Sequence, residues 1–156
     1  MKKQLLVKVM PKILVVYYSH TGNTEKLAKA ITEGAKTVQK VGAELKRHES
    51  PWNLESYDAI LIGAPTYSHN IPNNIRKFLE EIAFQGVNLK GKIGAAFGSY
   101  GWSGEAPRMI LEVMEHKFEM DVLKPPLLIK YAPDEKSLKE CHTLGKTVAE
   151  RIVGSS

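Results

Sequence analysis

Cysteine is nearly absent from this chain: Cys141 stands alone among 156 residues. One thiol cannot close an internal disulfide, so the fold must rest on its apolar core, and nothing calls for an oxidising compartment; a cytoplasmic address is the expectation. No apolar run approaches the roughly 20 residues that span a bilayer, so no membrane contact is expected. Near the start, Lys8 interrupts Leu5, Leu6, Val7 and Val9, and no small-residue cleavage site follows, which argues against a signal peptide. Residues 1–10 read as an extension ahead of a domain at 11–154, with Met10 as another possible start and a short added edge strand as the alternative.

Metal-ligand spacing is missing too. His20, His48, His69, His116 and His142 are scattered, so no metal site is expected. The net charge is +5, yet the lysines and arginines form no cluster and have no interleaved aromatics, so a nucleic-acid surface is not expected either. A solvated basic surface that steers an acidic protein partner fits better. What is present is 43% hydrophobic and 25% charged residues, enough for one globular domain with a proper core, and no linker or repeat divides it.

Strands and helices alternate along the chain. Lys12 to Tyr18 is short, β-branched and nearly continuous in apolar character, as a strand buried on both faces must be. Leu27, Ala28, Ile31, Ala35 and Val38 then recur at helical spacing, with Gly42 as the stop signal. Ala43 to His48 reads as a more polar edge strand and Ala59 to Gly63 as a second buried one. Pro72 opens a helix with Ile75, Phe78, Leu79 and Ile82 on its apolar stripe. Lys92 to Gly98 makes a fourth strand, and a helix beginning at Pro107 carries Ile110, Leu111, Met114 and Phe118. Leu127 to Tyr131 is the fifth strand, and Asp134 to Ile152 a closing helix with Leu138, Cys141, Gly145, Val148, Ala149 and Ile152 inward. Such alternation implies an α/β fold, a parallel sheet covered on both faces by right-handed crossovers. Ligands bind such sheets at the carboxyl ends of the strands, so the loops beginning at Ser19, Ala64 and Gly98 carry the function.

In the first of these, a buried strand passes into a helix within six residues, which aims helix-terminal amides at the loop. Ser19, Thr21 and Thr24 add hydroxyls, Asn23 an amide, and Gly22 the freedom for close backbone approach. The loop lacks a Walker lysine and a Gly-x-Gly-x-x-Gly spacing, so nucleoside triphosphates and dinucleotides fit poorly. A phosphate monoester held by many hydrogen bonds fits well. An ordinary capped turn is the plainer alternative.

Ser19-His20-Thr21-Gly22-Asn23-Thr24 after the first strand resembles the phosphate loop of flavodoxins. Ala64-Pro65-Thr66-Tyr67 is similar to their second flavin loop, and Gly98-Ser99-Tyr100-Gly101-Trp102-Ser103-Gly104 to their third. The third loop with Glu105, and the pattern at Cys141 to Gly145, resemble in particular the flavodoxin-like domain of A-type flavoproteins, the flavodiiron family, here looking free-standing without the metal half. The resemblance covers about Lys12 to Val153 and implies a flavodoxin-like three-layer sandwich with a five-stranded parallel sheet in the order 2-1-3-4-5.

It further implies one non-covalent FMN. The phosphate would lie at Ser19, His20, Thr21, Gly22, Asn23 and Thr24; Pro65, Thr66, Tyr67 and Ser68 would flank the ring on one side, and Ser99, Tyr100, Gly101, Trp102 and Gly104 on the other. Tyr67, Tyr100 and Trp102 offer aromatic cover, while His69 and Glu105 are the titratable groups near the ring, tuning it rather than catalysing. The implied function is electron transfer between redox proteins, a reductase and an acceptor such as a diiron protein, by a monomer or weak dimer with no catalytic residue. Flavodoxins are typically acidic, so a charge of +5 predicts a less negative second reduction step here. The alternatives are an NAD(P)H:quinone oxidoreductase of the same fold and a receiver-type signalling domain. The latter would need acidic residues where Ser19, Ala64 and Gly98 stand.

Overall fold

The computed structural model describes residues 10–49 and 53–154. The extension expected at 1–10 lies outside these residues except for exposed Met10. Strand β1 (Lys12–Tyr17) leads into helix α1 (Asn23–Lys36), and β2 (Gly42–Arg47) into β3 (Ala59–Gly63). Helix α2 (Asn73–Phe84), β4 (Ile93–Tyr100) and α3 (Glu105–Glu112) follow, the last continued by a π-turn at Val113–Lys117. Two short strands, β5 (Asp121–Val122) and β6 (Leu127–Lys130), precede α4 (Glu135–Gly154). All strand pairs are parallel, in the expected order 2-1-3-4-5 with helices on both faces.

The fifth lane differs from expectation by being split. β5 pairs Ile93 and Gly94 of β4, and β6 pairs Phe97 to Tyr100, leaving a gap between them. Pro125 and Pro126 fall in that gap, and neither has an N–H to continue a ladder. The lane also ends one residue early, because Tyr131 turns to φ 61°.

Alternation along the strands builds the three layers. In β1, Ile13, Val15 and Tyr17 face a core shared with α1 and α4, through Leu27, Ile31, Val148 and Ile152. Leu14 and Val16 face the opposite core, with Ile75 and Leu79 of α2, Ile110 of α3 and Met114 of the π-turn. Both faces of β1, β3 and β4 are therefore dry, which is why these strands read as continuous apolar runs. α1 and α4 cross so closely that a Cβ on Gly145 would strike the Ile31 carbonyl.

Helix boundaries shift for local reasons. α1 ends at Lys36 rather than near Gly42, because the Thr37 amide and hydroxyl turn back onto the Gly34 carbonyl at 3.2 and 2.6 Å. α3 starts at Glu105, ahead of Pro107. In α4, Asp134 accepts from the Ser137 amide and hydroxyl at 2.8 and 2.7 Å and caps the start. Leu138, expected inward, is exposed, and the buried stripe of the helix begins at Cys141. Burial pushes the Cys141 thiol up to about 12, which keeps it protonated and inert. Among the described residues no helix is long and apolar enough to cross a membrane.

Candidate functional site

The carboxyl ends of β1, β3 and β4 bring the three loops to one rim of the sheet, as the parallel register demands. In the first loop, Gly22 sits at φ 94° with nothing within 4 Å of the place a Cβ would occupy. Its amide donates to Ser19 Oγ at 3.1 Å, which folds the loop back on itself. The Lys26 amide donates to the Gly22 carbonyl at 3.1 Å, so the amides of Asn23, Thr24 and Glu25 precede the first helical donor and have no helical acceptor. No side chain caps them. Open space over Gly22 and uncapped helix amides are what a phosphate requires. The competing carboxylate, Glu25, accepts from the Tyr17 hydroxyl at 3.2 Å and lies 3.6 Å from Lys29.

Thr24 is placed differently from its neighbours. It is buried, and its Oγ1 lies 2.8 Å from Ser99 Oγ, with the Ser99 amide 3.4 Å away. These two residues lock the first loop to the end of β4 beneath the rim. His20 and Thr21 stay exposed, and the His20 ring meets Tyr67 edge-on at 6.4 Å.

The second loop opens with buried Ala64 and Pro65. A Cβ on Gly98 would strike the Ala64 carbonyl, so the second and third loops can leave the sheet side by side only because residue 98 is glycine. Thr66 Oγ1 accepts from the Ala106 amide at 2.9 Å, giving α3 the cap that Gly104 cannot supply and starting the helix at Glu105. Tyr67 and Asn70 exchange backbone hydrogen bonds of 3.1 and 2.8 Å around Ser68 and His69, both at positive φ. Left-handed backbone costs a non-glycine residue roughly 1–2 kcal/mol, so this two-residue turn is held by its surroundings.

Between the second and third loops lies a cleft of about 230 Å³ lined by Thr66, Ser68, His69, Trp102 and Ser103. It is shallower than a pocket that swallows a ligand, which starts at roughly 300 Å³, and suits a flat ring gripped with one edge in solvent. Trp102 is 88% exposed and Tyr67 40%, leaving aromatic surface free beside it. Tyr100 and Gly104 pack together under the third loop, and Gly101 faces Tyr131. His69 Nδ1 lies 2.9 Å from Glu105 Oε2 and 3.0 Å from Ser103 Oγ. The Ser103 hydroxyl, then His69, hold the Glu105 carboxyl down at about 2.

Ser68, Thr66 and Trp102 thus line the cleft; Ser19, Gly22 and Asn23 shape the helix start; Pro65, Ser99 and Gly104 lie beneath. Two rim residues escaped the sequence reading. Tyr18 stands edge-on to Tyr67 at 6.4 Å, and burial with the Tyr18 hydroxyl nearby pushes the Tyr67 phenol up to about 12. The Tyr131 amide donates to the Tyr100 carbonyl at 2.6 Å, placing its exposed ring beside the third loop. Applying the strand-end rule to the residues that follow β1 and β6 would have found both. A larger cavity of about 690 Å³, between His48, Asn53 and α2, touches none of the three loops; Glu49 and Asn53 in its wall flank the undescribed residues 50–52.

Comparison with known proteins agrees with this geometry. The sequence model of the family described as Flavodoxin matches residues 15–145. A putative diflavin flavoprotein A 5 of Nostoc sp. is 36% identical over 148 residues, covering 90% of this chain and 25% of that protein. The type A flavoprotein fprA of Rhodobacter capsulatus is 34% identical, covering 91% and 33%. The chain spans between a quarter and about a third of the length of these relatives. The solved structure of a flavodoxin from the domain Archaea superposes with a TM-score of 0.85 at 39% identity, covering 90% of this chain and 98% of that one. FMN is the cofactor of the flavodoxins and of the flavodiiron relatives. On the family match and the strand order together, this chain belongs to the flavodoxin family.

Proposed function

We propose that the chain is an electron carrier, with residues 11–154 holding one FMN non-covalently and exchanging electrons with redox proteins. The observation that carries this is the uncapped start of α1 under open Gly22, set on the same rim as the cleft between the second and third loops. The first-turn amides and the Ser19, Thr21 and Asn23 side chains would hold the phosphate by charge-assisted hydrogen bonds. Thr66, Tyr67, Ser68, Tyr100, Gly101 and Trp102 would flank the ring, while Thr24, Pro65, Ser99 and Gly104 support them from below.

Bound there, FMN supplies one- and two-electron redox chemistry. The protein's part is to hold, orient and partly desolvate it. No side chain at the rim is required as a proton donor, and exposed Trp102 and Tyr131 leave room for a partner protein to approach. The donor would be a reductase and the acceptor a redox protein such as a diiron protein, met in the cytoplasm by a monomer or weak dimer.

Stopped-flow reduction of the FMN-loaded protein tests the role. Slow bleaching by NAD(P)H alone, with fast reduction through a separate flavin or iron–sulfur reductase, is expected. Rapid bleaching by NAD(P)H followed by turnover with a quinone would replace the carrier with an oxidoreductase.

A further inference from the structure

The turn at Ser68 and His69 puts two consecutive non-glycine residues in left-handed backbone, at φ 49° and 61°. Something must hold it there, and among the described residues the His69 ring makes its side-chain hydrogen bonds to the third loop, at Ser103 and Glu105. Glu105 is ionised at neutral pH, so His69 Nδ1 carries a proton and donates it to Glu105 Oε2, while the Ser103 hydroxyl supports the same carboxylate. The other carboxylate oxygen, Oε1, is buried without a partner among the described residues. An isolated surface ion pair contributes little. This contact is not isolated: His69 and Ser103 face each other across the cleft whose walls they form, and the Thr66-to-Ala106 bond ties the same two loops a few residues away.

We propose that His69 is a positioning residue for the ring, clasped by Glu105 so that it fixes the separation of the second and third loops and sets how long a bound flavin ring is retained. The clasp rests on the flavin reading above and acts on the ring, not on the phosphate. It also explains how a turn without glycine persists at this place: the His69 side chain is anchored from the opposite loop.

The test is the rate at which flavin fluorescence returns when the full chain, loaded with FMN or with riboflavin, is diluted into a large volume of flavin-free buffer. His69→Ala and Glu105→Ala are each expected to speed release of both flavins about tenfold, the loss of one charge-assisted hydrogen bond. The double variant is expected to be no faster than either single one. Glu105→Gln, which keeps an acceptor for Nδ1–H, stays within about threefold of the unaltered chain, and the melting temperature of every variant falls by no more than a few degrees, since His69 is exposed and Glu105 only half-buried. Unchanged release from the two alanine variants, additive effects in the double variant, faster release of FMN alone, or a fall in melting temperature that accounts for the release would each overturn the clasp. An unaltered chain that retains neither flavin overturns the functional reading, and the clasp falls with it.

Discussion

At the start of α1 the protein offers backbone: amides of Asn23, Thr24 and Glu25 without helical acceptors, and Gly22 at φ 94° keeping the space above them clear. Across the rim it offers side chains: Thr66 on the Ala106 amide, His69 on Glu105, Trp102 free in solvent. Backbone amides carry no pKa and tolerate most neighbours, so the first region depends on one glycine and on the sheet beneath it. The second depends on contacts between residues 34 to 40 positions apart, any of which a substitution or a proton can remove. On the proposed reading the first region would set what kind of anion is held, and the second how firmly a ring is gripped.

The comparison breaks most completely if the common scaffold is loosened. Ile62, 2% exposed near the end of β3, supports both regions, and Ile62→Ala is expected to cost about 2–5 kcal/mol by urea denaturation. FMN and riboflavin binding should then weaken together. Thr24→Val removes the partner of buried Ser99 and is expected to cost roughly 1–3 kcal/mol. Its thermal melt should fall by several degrees, while Ser19→Ala, which removes only the half-buried acceptor of the Gly22 amide, lowers it less.

Gly22→Val separates the two regions. Forcing a β-branched residue to φ 94° costs about 1–2 kcal/mol, so titration calorimetry should show FMN affinity falling about tenfold or more while riboflavin affinity holds. Acid acts on the other side. The Glu105 carboxyl is lowered from 4.5 to about 2 in the fold, so its contribution is fully present above pH 4.5 and is lost as pH falls towards 2. Riboflavin release should quicken by a few-fold in that window in the unaltered chain and stay flat in Glu105→Gln.

The same contrast explains what could be read in the sequence. β1, β3 and β4 declared themselves as apolar runs because helices dry both their faces, and with them came the parallel sheet and the three loop positions, while the strand order was implied by the resemblance to flavodoxins. The first loop was legible for the same reason, being built from consecutive residues. The Thr24–Ser99 and His69–Glu105 contacts join residues 75 and 36 positions apart, and no local pattern announces them. Leu138 looked inward because helical period does not say where a long helix first meets the sheet. The split fifth lane went unread, although Pro125 and Pro126, whose missing N–H groups mark the gap, stand just ahead of the expected strand. Tyr18 and Tyr131 were missed because each was read as the last residue of a strand, whereas each lies one residue beyond it, on the rim.

The most direct measurement is a titration of the apoprotein with FMN and with riboflavin, followed by absorbance and heat. The account predicts one FMN per chain, bands near roughly 375 and 450 nm, and an affinity for FMN about a hundredfold above that for riboflavin, the share of the phosphate at the start of α1. Equal affinity for the two would contradict the role given to Ser19–Thr24, and a protein that stays colourless with either would contradict the account as a whole.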